Sequence, residues 1–228
     1  MKMKNYIYLQ KNKMKQFIFL LTIIFLIGCD KKNQLKEGDI LFQDLNCGEL
    51  CDAIESVTDG VKGKDFSHCA LVVEINDSLK VIEAIGNQVK TTSIHDFFAR
   101  SGDTNAINNI TIARLKPEFQ KNIPAAVDFS KAQIGQPYDD FFLLNNGKWY
   151  CSELLYEAFV TASKDTNFFA LSPMTFKNPA TNDFFPAWIE YYKTLNAAIP
   201  EGELGLNPGS ISRSSKLEII NSKNLKIN

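Results

Sequence analysis

The chain has 228 residues, with 25 basic and 26 acidic side chains, 45% hydrophobic residues and 11% aromatic ones. That apolar content excludes a disordered chain, and the absence of a basic tract leaves no electrostatic footprint for a nucleic-acid partner. The length suits one globular domain.

Lys2, Lys4, Lys11, Lys13 and Lys15 precede an apolar run from Phe17 to Ile27. The run is short for a membrane span and fits the apolar region of a secretory signal, an uncleaved single-span anchor being the other reading. It ends in Leu26-Ile27-Gly28-Cys29, which resembles the lipobox of bacterial lipoproteins. The resemblance implies cleavage before Cys29 and diacylation of its thiol. The expected organisation is a signal peptide over 1–28, a polar tether over 29–37 and a domain over 38–228. An exported bacterial lipoprotein, anchored in a cell-envelope membrane through Cys29, is the expected form. Cleavage would remove five lysines and no acid, leaving 200 residues with 20 basic and 26 acidic groups, a net charge of −6.

Gly38 to Gln43 is an apolar run after a glycine and predicts a strand. Leu50, Ile54 and Val57 recur at helical spacing, predicting a helix over 49–57. Ser67–Ile75 and Leu79–Ile85 are β-rich and flank Asn76-Asp77-Ser78, a tight-turn signal, so they predict a hairpin. A third strand is expected from Gln88, a short capped helix at Ser93–Phe98 and a strand over 109–115. Pro117–Ile134 predicts a helix, bent or restarted at Pro124. A further helix is expected over Pro186–Leu195, and an irregular segment from Pro200 onward.

Between these lies the stretch Trp149-Tyr150-Cys151-Ser152-Glu153-Leu154-Leu155, which opens after the loop signal Asn145-Asn146-Gly147. Leu154, Leu155, Ala158, Phe159 and Ala162 form one apolar helical face, which puts Cys151 in the first turn. Free N–H groups and the helix dipole there favour thiolate, the nucleophilic form. A buried cysteine acting as a small hydrophobe is the bland alternative. Glu153 reads as a favourable charge in the first turn.

A cysteine nucleophile needs a base. Of the two histidines, His95 sits in a polar helix start and reads as a surface residue. His68 opens an apolar strand just after a polar loop and is the candidate base. With Asn76-Asp77 as a two-residue turn, paired positions sum to 153. Glu83 then lies diagonally across from His68 on the same face, close enough to orient the ring. Cys69, one residue on, should point to the other face and stay inert. Cys47 and Cys51 are four apart at a helix start, a poor arrangement for a disulfide within a regular helix. Metal ligation by Cys47, Cys51 and His68 is the other reading. No second C-x-x-C or histidine pair supports it, so no metal or other cofactor is expected.

In order, Gly38-Asp39-Ile40-Leu41-Phe42, Phe66-Ser67-His68, Val81-Ile82-Glu83-Ala84, Gly135-Gln136-Pro137-Tyr138-Asp139 and Tyr150-Cys151-Ser152-Glu153-Leu154 resemble the motifs of the permuted papain-fold amidases of the YiiX and YaeF type, relatives of the NlpC-type cell-wall peptidases. The resemblance implies an α+β, circularly permuted papain-like fold in which an antiparallel sheet packs against the cysteine-bearing helix. It also implies a Cys–His–acid triad matching Cys151, His68 and Glu83, with Tyr138 bordering the substrate. The implied function is a cysteine amidohydrolase or peptidase acting on a cell-envelope peptide or amino-acid derivative. The alternatives are a lipid acyltransferase or thioesterase of the same permuted fold, and a binding lipoprotein without catalysis. Cys47 and Cys51 have no place in that pattern.

Overall fold

The computed structural model describes residues 34–101 and 110–220. The signal segment and Cys29 lie outside the described residues. The described residues from Leu35 onward form one compact unit. Its elements in order are β1 (Ile40–Gln43), α1 (Glu49–Glu55), β2 (His68–Ile75), β3 (Ser78–Ile85), β4 (Gln88–Ser93), α2 (Ile94–Ala99) and β5 (Ile110–Leu115). There follow α3 (Ile123–Ala132), α4 (Cys151–Ser163), β6 (Ser172–Pro173), α5 (Pro186–Thr194), β7 (Leu204–Gly205), α6 (Pro208–Ser212) and β8 (Leu217–Ile220).

Six strands form one sheet in the order β4-β3-β2-β1-β5-β8, with every neighbouring pair antiparallel. The β2–β3 hairpin turns through Asn76 and Asp77 at φ 51° and 58°, the positive pair that suits strand twist. Ile75 pairs with Ser78 and Leu71 with Ile82, which is the register expected from the sequence. Asp39, just ahead of β1, accepts two bonds from the Arg114 guanidinium of β5 at 2.7 and 2.8 Å, both side chains buried. Gly38 precedes it at φ 87°, and a Cβ there would lie 2.6 Å from Ile123, so neither the backbone nor the space admits another residue.

Strand alternation sorts the core into two layers. Cys69, Leu71 and Val73 of β2 face the layer that includes α3 and α4. Ala70 and Val72 face the other layer, closed by Ile94, Phe97 and Phe98 of α2. A third cluster joins Ala53 of α1 to Trp188 and Tyr192 of α5, with Phe176 between them.

Two local expectations are corrected, and the helix restart expected at Pro124 is found. The segment from Pro200 is not irregular: it forms β7, α6 and β8, the last pairing with β5 at the sheet edge. Pro117–Asn122 is a 3-10 helix, and the α-helix starts afresh at Ile123 with Pro124 in its first turn, where its missing N–H costs nothing. Cys47 and Cys51 form a disulfide with Cα atoms 5.3 Å apart. The helix begins only at Glu49, and Asn46 and Gly48 take positive φ. Cys47 therefore lies off the helix, and the restriction on a disulfide within a regular helix does not apply.

Candidate active site

Tyr150 is extended at φ −93° and ψ 167°, and α4 begins directly at Cys151 with no side-chain cap. The free N–H groups of this first turn are left to serve an anion at the sulfur. The N-terminus of α4 meets β2 at its first residue. There the Cys151 sulfur comes within hydrogen-bonding reach of the His68 ring and of the Cys69 thiol and backbone N–H. Cys151 is 8% exposed, and its thiol is held well below its ordinary range. The Cys69 hydrogen bond is the largest cause; the His68 bond and charge add to it and together they overcome burial.

His68 Nε2 lies 2.7 Å from Glu83 Oε2, both side chains being almost fully buried. Continuing the hairpin register puts Glu83 opposite Ala70, diagonal to His68 on one face, as the turn arithmetic requires. With Nε2 engaged by the carboxylate, Nδ1 is the ring nitrogen left for the sulfur. Burial alone would lower the His68 pKa, but Cys151 and Glu83 outweigh it and raise it to about 9. Burial alone would raise Glu83; its bonds to His68, Arg100 and Thr92 bring it down to about 2. The geometry thus favours a thiolate beside an imidazolium, with an ionised carboxylate behind the ring.

Two residues behind Glu83 carried no signal in the sequence. Arg100, just past α2, donates Nη2 to both carboxylate oxygens at 2.8 and 2.7 Å, and Thr92 Oγ1 of β4 donates to Oε1. The Arg100 guanidinium also lies 5.1 Å from the Phe97 ring centroid, and Phe97 in turn neighbours the His68 ring at 6.0 Å. Gln43, paired with His68 across β1–β2, fastens this corner by donating to the Phe97 carbonyl and Ser101 Oγ, each at 2.7 Å.

Other residues singled out in the sequence fall as follows. His95 is 88% exposed at its side chain and stands apart on the surface. Cys69 does point away from the α2 face, but the face it points to is the one α4 packs on, so it meets the Cys151 sulfur. Burial, then its bond to Cys151, pushes the Cys69 thiol well up and keeps it protonated as a donor. Glu153 is not a solvated first-turn charge. It is fully buried and pairs with no cation among the described residues. Burial, followed by the Asp139 charge, outweighs the backbone bonds from Asn145 and Tyr150 and pushes its pKa up to about 8. At neutral pH it is an acid, not an anion. Tyr138 follows the Gly135 turn and lines the same cavity as Cys151; burial and then the Cys151 charge hold its hydroxyl protonated.

That cavity has a volume of about 210 Å³. Cys151 and Tyr138 line it, with Ile54 of α1, Phe142, Phe176 and Trp188 among its apolar residues and Arg213 among its polar ones. No helix among the described residues is long and apolar enough to cross a membrane.

Comparison with known proteins agrees with this architecture. The family model described as permuted papain-like amidase enzyme, YaeF/YiiX, matches residues 34–221. An uncharacterized Escherichia coli protein, YiiX, is 28% identical over 129 residues, which cover 57% of this chain. The chain spans 59% of the length of that relative. A crystal structure of an Escherichia coli protein described as metalloprotein yiiX superposes with a TM-score of 0.64 at 22% identity, covering 82% of this chain and 96% of that one.

Proposed function

This chain belongs to the permuted papain-like amidase family of the YaeF/YiiX type, and from that premise we propose that it cleaves an amide bond through Cys151, His68 and Glu83. The observation that carries the proposal is the buried line from the Cys151 sulfur through the His68 ring to Glu83, with all three pKa values moved toward the ion-paired state. The Cys151 thiolate attacks the carbonyl carbon, and the C=O electron pair moves to oxygen. The N–H groups opening α4 stabilise that oxyanion, assisted by the Tyr138 hydroxyl, which burial keeps protonated. His68 gives its Nδ1 proton to the departing amine, so the C–N bond breaks and an acyl-thioester remains. Neutral His68 then takes a proton from water, whose oxygen displaces the sulfur and restores thiolate and imidazolium. Glu83 holds the ring in register and stabilises its charge, while Arg100 and Thr92 hold Glu83.

The substrate class we favour is a peptide or amino-acid derivative of the cell envelope. The lipobox-like Leu26-Ile27-Gly28-Cys29 supports that location, with the membrane reached through lipid on Cys29. The related Escherichia coli structure is described as a metalloprotein; among the described residues of this chain no group of three or more His, Cys, Asp or Glu could hold a metal ion. No step is routed through a metal.

The test is labelling by iodoacetamide at pH 7, mapped by mass spectrometry. Cys151 should be modified first and Cys69 slowly, and Cys151→Ala should abolish release of amine from amide substrates. Full turnover by Cys151→Ala would end the proposal. Transfer of the acyl group to an added lipid or amine in preference to water would favour the acyltransferase alternative.

A further inference from the structure

The cavity beside Cys151 has a chemical bias that amide cleavage by itself does not demand. Much of its polar lining is satisfied from within. Ser152 Oγ donates to the Leu206 carbonyl at 2.9 Å and Thr175 Oγ1 to Glu201 at 3.0 Å. Asn207 and Ser210 bond each other in the cap of α6. One cationic group remains. Among the described residues Arg213, solvent-accessible, is the one charged side chain lining the cavity apart from the Cys151 sulfur. It forms no ion pair among the described residues.

A guanidinium is a donor only, so a ligand that satisfies it must bring acceptors. Opposite this polarity stands a dry wall. The Trp188 ring packs edge-on against Phe142 and Phe176 at 5.6 and 4.9 Å, with Met174 and Ile54 also lining the cavity. A carboxylate supplies acceptors without donors and forms a charge-assisted pair with arginine. An apolar side chain suits the aromatic wall.

We propose that this cavity selects an amide carrying a free carboxylate beside an apolar side chain, the chemistry of an N-acylated apolar amino acid or of the C-terminal residue of a peptide. Arg213 takes the carboxylate and the Phe142–Trp188–Phe176 wall takes the side chain. This assignment deepens the amide-cleavage reading above and rests on it.

The experiment uses two affinity labels that differ only at the carboxyl: N-chloroacetyl-phenylalanine and its carboxamide. In either, the Cys151 sulfur forms a thioether bond to the chloroacetyl carbon and chloride leaves. Rates are expressed relative to each variant's own rate with iodoacetamide. The acid should label Cys151 about tenfold faster than the amide, the scale of one charge-assisted hydrogen bond. Arg213→Gln should remove that preference and Arg213→Lys should keep part of it. Equal rates for acid and amide in the unmodified protein, or a preference indifferent to Arg213→Gln, would overturn the proposal. Should iodoacetamide fail to single out Cys151, the nucleophile reading fails separately. Calorimetry of N-acetylphenylalanine against its carboxamide on Cys151→Ala then decides the cavity, and equal affinities overturn the assignment.

Discussion

Replacing Glu83 by glutamine removes one charge from the site and keeps nearly the same shape, so its effect on His68 isolates the electrostatic contribution. In the unmodified protein His68 is raised from 6.5 to about 9 although burial opposes protonation, so Cys151 and Glu83 must more than offset that burial. A contacting opposite charge is worth roughly one to three pKa units, which predicts a fall of the His68 value to about 6–8 in Glu83→Gln. The chain holds only two histidines, so a titration followed by NMR in a His95→Gln background reads His68 alone. Arg100→Ala should act in the opposite sense: Nη2 no longer neutralises Glu83, the carboxylate bears more fully on the ring, and His68 should titrate no lower than before. Turnover should weaken in both variants without vanishing, because the thiolate and the N-terminus of α4 remain. The stability consequences carry definite signs. The His68 contribution is fully present below about 6.5 and is lost as pH rises through about 9. The Glu83 contribution is present above 4.5 and is lost as pH falls through about 2. A His68 titration unchanged by Glu83→Gln, or lowered by Arg100→Ala, would refute this account of the site.

Cys69→Ala should raise the pKa of Cys151 and slow its alkylation at mildly acid pH, since the thiol donor to the sulfur is lost while the backbone N–H stays; an unaltered profile would show that the contact is only packing. Reducing the Cys47–Cys51 disulfide should cost about 2 kcal/mol of stability, the chain-entropy value for so short a loop, measured by thermal melting with thiol counting to confirm reduction. Glu153→Gln should leave turnover at pH 7 nearly unchanged, because the carboxyl is already neutral there. Since the unfolded chain loses that proton near 4.5 and the folded one near about 8, the variant should gain stability relative to the parent as pH rises between those values, and melting curves at pH 5 and 8 check the sign. Cys29→Ser, assayed in the native host, should accumulate an unprocessed and unlipidated precursor.

The parts of the site that can be read from sequence are those governed by short-range rules. Leu154, Leu155, Ala158 and Phe159 define one helical face, and that alone places Cys151 at a helix start. Asn76-Asp77 sets a two-residue turn, and the turn sets every pairing of the hairpin, so the His68–Glu83 contact follows from counting. Period-2 alternation likewise places Cys69 and His68 on opposite faces. What alternation cannot say is which face α4 will cover, and so it gives no warning that Cys69 touches the Cys151 sulfur.

The remaining differences share this origin. A first-turn position on α4 suggests a charged Glu153, whereas its protonation follows from burial beside Asp139. That proximity arises only when the Tyr138–Asp139 turn folds back along Trp149 at the start of α4. Arg100 reaches Glu83 across seventeen residues, from beyond a helix whose docking no local pattern encodes. The position of Arg100 also explains how the site tolerates a buried carboxylate. Glu83 answers to an imidazolium on one side and a guanidinium on the other, so desolvation, which alone would protonate it, does not prevail. In the proposed mechanism, had His68 been its sole partner, neutralising that ring would leave an unpaired charge in the core each time the proton moved to the leaving amine. With Arg100 in place, the carboxylate would stay paired while His68 cycles between the two states the proposal requires, and the ring could give up its proton without the support behind it being rebuilt.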